Sequence, residues 1–149
     1  MMFVISLLHS DKDPPNRRVF IFLRFYMLTF EETKQFYKSS AWKLFRARIL
    51  RRDAYTCQYS KRYGKLVEAK VVHHILPLEF YPEHRLKAWN LISLSNAAHE
   101  KLHNRNSHTL SLEGWRLMEK TAQAQGITLT REDQIICLGL GENDTTAGG

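Results

Sequence analysis

Apolar and polar positions alternate with different periods along this chain, and the changes of period mark its elements. From Glu31 to Arg52, Phe36, Trp42, Phe45 and Ile49 fall at helical spacing, with basic residues over the other faces. Thr29-Phe30-Glu31-Glu32 is a well-formed helix start, and Ser39-Ser40 offers a point at which the helix divides. Asp53 to Lys65 is turn-rich and ends at Gly64. Leu66 to Leu76 is β-like (Val67, Val71, Val72, Ile75) and stops at Pro77, which cannot donate to a ladder. Residues 77–89 form a loop long enough to reverse the chain, and Asn90 to Leu94 is a second short strand. Ser95 or Asn96 then caps a helix covering Ala97 to about Asn104. Leu110 to Gln125 is amphipathic again, with Leu112, Trp115, Met118 and Ala122 as the expected buried face and Gly126 just past its end. The expectation is an α+β fold, a small and mostly helical domain around a strand-loop-strand-helix unit.

The ends carry less pattern. In residues 1–30 the polar, Pro-containing SDKDPPNRR separates two apolar scraps, so this part is expected to be a poorly ordered extension, with Met27 as an alternative start of the functional product. Residues 127–149 are assigned to a carboxy-terminal tail, polar and Gly/Thr-rich from Glu142 onward, and residues 31–126 to the functional domain. The apolar stretch MMFVISLL lacks the flanks of a signal peptide, and Phe20 to Phe30 is interrupted by Arg24 and falls short of a membrane span. Two cysteines, Cys57 and Cys137, cannot form a disulfide framework, which favours a reducing, cytoplasmic setting.

Charge adds a partner. A length of 149 residues suits one domain, and its net charge of +7 favours an anionic ligand such as nucleic acid. The charge is local: Lys34 to Lys70 holds eleven Lys/Arg against two acids, Asp53 and Glu68. Within it Lys43, Arg46, Arg48, Arg51 and Arg52 are the expected nucleic-acid-binding residues, making contacts to phosphate independent of sequence.

The chemistry follows directly after that basic segment. Val71 to His103 contains five of the seven histidines: His73 and His74 adjacent, His84, and His99 and His103 four apart. Four residues on a helix bring two imidazoles to one face, able to meet a single ion. Adjacent strand residues point to opposite faces, so a ligand at His73 would leave His74 facing the other way, free to act as a base. His84 lies in the loop and is expected at the surface.

At these residues the chain resembles the HNH endonucleases, and in particular their small phage-type members. His73-His74-Ile75-Leu76-Pro77, Asn90-Leu91 and His99-Glu100-Lys101-Leu102-His103 match the three parts of the family motif. Upstream, Phe36-Tyr37, Trp42, Arg46 and Tyr55-Thr56-Cys57-Gln58 resemble the lead-in of phage-encoded members, so the likeness runs from about Phe36 to Asn104. It implies a ββα-metal hairpin and helix around one divalent cation, with DNA as substrate. His73, His99 and His103 fall on metal-ligand positions, His74 on the general base, and Asn90 on the residue that braces the loop and orients the base. Imidazole donors suit Zn²⁺, Ni²⁺, Co²⁺ or Mn²⁺ better than Mg²⁺.

Many relatives add two Cys-x-x-Cys knuckles for a structural zinc; here the corresponding positions are Cys57, Ser60, Ser95 and Ala98, and no Cys₄ zinc is expected. Packing by Trp89, Tyr55 and the flanking helices is expected to hold the hairpin instead, with Cys57 a small buried side chain. No base-reading element is evident, so weak sequence preference is expected, in nicking or in double-strand cleavage. The resemblance also implies phage terminase or other packaging proteins as partners. Two other readings stand beside this one: a non-catalytic DNA-binding module with a structural metal, and a nuclease directed at RNA.

Overall fold

A computed structural model describes residues 27–104 and 109–140; the readings made on residues 1–26 and 141–149 lie outside these. Helix α1 spans Phe30–Lys38, started by a reciprocal cap in which Thr29 Oγ1 accepts from the Glu32 amide and Glu32 accepts from the Thr29 amide. Ser39 ends it and starts α2, Ser40–Arg52: its amide and hydroxyl both donate to Phe36 O, while Oγ accepts from the Trp42 amide. The division expected at Ser39-Ser40 is therefore made by one side chain serving two helix ends. Residues 27–30, read as the end of the extension, already belong to the fold, since the Leu28 amide donates to Glu79 O at 3.0 Å.

After the short α3, Gln58–Lys61, the hairpin forms from β1, Val71–His74, and β2, Leu91–Leu94. The strands are antiparallel, with His73 opposite Ile92 and His74 opposite Leu91. The first strand is shorter than the β-like run predicts. Leu66 and Val67 are exposed, and residues 66–70 contribute a single bridge, Glu68 to Thr56, rather than a ladder. Helix α4, Asn96–Leu102, is capped by Ser95. Helix α5, Leu112–Ala124, is capped by Ser111 and buries Trp115, Leu117, Met118 and Ala122. Leu112, expected in the buried face, is 66% exposed, because the apolar stripe begins one turn later and Leu110 enters the core ahead of the helix. Part of the segment read as tail is a further helix, α6, Arg131–Leu138, with a Thr130–Asp133 capping box and a buried Cys137.

The hairpin lies between two cores. Pairing places Val72, His74 and Leu91 on one face, against Trp42, Ile49 and Leu50 of α2. It places His73, Ile92 and Leu94 on the other, where Ile92 and Leu94 join Ala98, Leu102, Trp115 and Met118. Gly114 permits the close approach of α5 to α4, since a Cβ there would lie 2.2 Å from Leu102 O. Trp89 is half-buried against this second core as expected, but Tyr55 is 52% exposed and Tyr59 packs there instead. Cys57 is fully buried, and hydrogen bonds from Ser60 and Ser95 outweigh burial to bring its thiol down to about 7. Among the described residues no helix is long and apolar enough to cross a membrane.

Candidate functional site

Three imidazoles converge on the outer end of the hairpin. His73 extends from β1, His99 from α4, and His103 from the residue after α4, and their ligand atoms all lie within 4.8 Å of one another. Ring centroids are 5.2 Å apart for His73–His99, 5.0 Å for His73–His103 and 4.7 Å for His99–His103. His103 is not in the helix, as its spacing from His99 suggests; it is the C-cap, with extended backbone, paired by a bridge to Leu110. The chain turns away after Leu102, yet the ring still meets the other two.

The donor set fits a cation. His103 Nε2 stands 3.4 Å from His73 Nδ1, and two nitrogens on a tetrahedral ion at bond lengths of about 2.1 Å would also be about 3.4 Å apart. The electrostatics favour the neutral rings a cation needs. Burial first, then the neighbouring His103, His99 and His74 imidazoles, hold His73 well below the usual value. His99 is lowered by burial and by His103, with Glu100 acting in the opposite sense.

His74 occupies the other face. Its ring stacks on Trp42 with centroids 5.0 Å apart and meets Phe36 and Tyr37 edge-on. His74 Nε2 is 3.0 Å from Arg85 O, and Nδ1 is 3.3 Å from the Tyr37 hydroxyl. Burial lowers its pKa, and the Arg85 contact works against that shift. The doublet thus divides between two environments, as strand geometry requires.

Asn90 is wholly buried and ties the loop to the hairpin. Its Oδ1 accepts from the Leu76 amide at 2.7 Å, and Nδ2 donates to Leu76 O at 3.2 Å and His84 O at 3.3 Å. The brace ends one residue before Arg85, whose carbonyl holds His74. His84 is half-buried rather than at the surface, its ring 4.9 Å from Trp89 and near Tyr81.

The five basic residues separate into two groups. Lys43, Arg48 and Arg51 are exposed and form no ion pair among the described residues. Arg46 instead donates to Lys70 O at 2.6 Å, and Arg52 donates to Ala88 O at 2.6 Å, Leu91 O at 2.8 Å and both Asp53 carboxylate oxygens. These two fasten α2 to the hairpin. Sequence reasoning left Tyr37 and Arg85 without roles. Tyr37 stood in the matched lead-in, but only the fold brings it to His74; a backbone carbonyl such as Arg85 O leaves no signal in composition.

No family model matches the chain, and no curated protein matches it. Among solved structures, the chain is similar to the crystal structure of the deep-sea thermophilic bacteriophage GVE2 HNH endonuclease with manganese ion. Identity is 36%, and the match covers 46% of this chain and 75% of that one. The TM-score of the match is 0.46.

Proposed function

We propose that this chain, which belongs to the HNH endonuclease family, is a metal-dependent nuclease that hydrolyses phosphodiester bonds in DNA. The observation that carries the reading is the division of the histidine doublet: His73 joins His99 and His103, while His74 turns to the opposite face. His73, His99 and His103 are the proposed ligands of one divalent cation, which would supply positive charge to stabilise the negative charge that builds up as the phosphodiester is cleaved. The similar phage structure holds manganese, one of the divalent ions proposed here.

In this reading His74 takes a proton from the attacking water, and Asn90 braces the segment whose Arg85 carbonyl orients the base. Lys43, Arg48 and Arg51 hold the phosphate backbone without reading bases, which makes sequence preference weak. A phage origin, and with it a partner in DNA packaging, rests on the sequence resemblance and on the phage source of the similar structure.

The test is cleavage of supercoiled plasmid, with single-stranded DNA and RNA in parallel. EDTA abolishes cutting, and Mn²⁺, Ni²⁺, Co²⁺ or Zn²⁺ restores it better than Mg²⁺. His74→Ala lowers the rate by about 10²–10⁴ while metal and DNA binding persist. Metal-loaded protein that binds DNA and leaves every substrate intact would instead establish a binding module; cutting of RNA alone would move the substrate.

A further inference from the structure

We propose that the segment from Tyr55 to Leu66 is a second DNA-binding site, which stacks the rings of Tyr55 and Tyr63 on unpaired bases of a single strand. The proposal rests on DNA as the ligand of this chain and adds the form of DNA it holds. It starts from a conformational cost. Ala54 and Tyr55 take φ of 50° and 53°, a left-handed backbone that glycine or asparagine adopts far more readily. Hydrogen bonds enforce it: the Tyr55 amide donates to Leu50 O at 2.8 Å, and Tyr55 O accepts from the Ala69 amide at 2.7 Å. The ring placed there is 52% exposed, so packing returns little for the strain. Strain kept at an exposed aromatic side chain points to a ligand rather than to the core.

The second ring is held as firmly. Gly64, with φ of 71°, donates its amide to Lys61 O at 3.0 Å, and the Lys65 amide donates to Ser60 O at 3.1 Å. These two bonds close α3 as a Schellman motif. At the start of the same helix Cys57 Sγ accepts from the Ser60 amide and hydroxyl. Tyr63, on this fixed turn, is 65% exposed, with the Tyr59 ring beside it at a centroid distance of 5.6 Å. Tyr59 is itself anchored, its hydroxyl donating to Glu113 on α5. Leu66, just past the turn, is 84% exposed.

Charge selects the partner. Lys61, Arg62 and Lys65 interleave with Tyr63 and Leu66, are exposed, and form no ion pair among the described residues. At the other end Tyr55 follows α2 closely, where Arg48 and Arg51 are exposed. Cations alternating with open aromatic faces make a platform for single strands, the cations taking phosphates and the rings taking base faces. In a duplex those faces are stacked on neighbouring base pairs, so the rings select unpaired bases. The site is separate from the chemistry: Ala69, bonded to Tyr55, precedes His73 by four residues, about 13 Å along the extended chain.

The test is binding by the metal-free full chain in EDTA, followed by the anisotropy of a labelled DNA strand and of its duplex. Tyr63→Ala and Tyr55→Asn should each weaken single-strand binding about tenfold and duplex binding by less than about twofold. Tyr55→Asn should do so with a melting temperature equal to or above wild type, since asparagine suits the left-handed backbone. Photocrosslinking of an iodouracil-containing strand to the wild-type protein, which needs no substitution, should label peptides carrying Tyr55 or Tyr63. Folded tyrosine variants that bind the single strand as wild type does, equal losses on strand and duplex, or crosslinks confined to other peptides would each overturn the site. So would a second copy seated on it, read as a dimer in sedimentation that Leu66→Ser dissolves. With no metal present, cleavage does not enter these readouts. A chain that binds through its rings and never cuts loses the nuclease reading alone; one that cuts, and whose tyrosine variants bind the single strand normally, loses this site alone.

Discussion

Asn90 shows how one side chain can set the position of several others. Its three hydrogen bonds fix both polar groups of the fully buried Leu76 and the carbonyl of the half-buried His84. Asn90→Ala leaves those groups unpartnered, and the expected loss is about 2–4 kcal/mol of stability, read as a lower urea midpoint. An unchanged midpoint would mean the loop holds itself. The histidines make a pH prediction for the metal-free protein. His73, His74 and His99 all titrate below their ordinary value of 6.5 when folded, chiefly through burial. Below 6.5 the unfolded chain binds protons that the folded chain refuses, so stability is highest above that pH and falls as the solution is acidified through the window beneath it. Thermal melts at pH 7.5 and pH 5.5 (about one unit either side of 6.5) check the sign. His73→Ala should lessen the slope.

At the level of elements, composition marks a basic helix but cannot say which cations are already used. Arg46 and Arg52 reach carbonyls of Lys70, Ala88 and Leu91, contacts that depend on where the hairpin docks. Lys43, Arg48 and Arg51 are left at the surface. Arg48→Ala and Arg51→Ala should therefore weaken DNA binding evenly across sequences, each reducing the salt dependence by about one unit of slope, with melting temperature unchanged. Arg52→Ala should cost about 1–2 kcal/mol of stability, discounted for its partial exposure. The opposite pattern would reverse their roles. The same limit explains the other differences. The caps at Thr29, Ser39 and Ser95 and the second strand at Leu91–Leu94 were legible because local chemistry decides them. The early end of β1, the exposure of Leu112 and the extended backbone of His103 were not, because neighbours distant in sequence decide those.

Over the described residues, the hairpin lies between two cores, one built by α1 and α2 and the other by α4, α5 and α6. Sequence alone gave the motif residues and their spacing, and the fold assembles the imidazoles from them. It does not give the arrangement by which His73 answers to one core and His74 to the other. The bridge from His103 to Leu110 carries a further consequence. Leu110 in turn donates its amide to Cys137 O at 2.7 Å, on the last helix. The third imidazole is thus moored to a strand of chain more than thirty residues downstream, in a region that motif matching passes over. Transplanting the hairpin with its helix into another scaffold would carry the full set of rings but leave one of them without its mooring, so the smallest portable unit of this centre extends through α6.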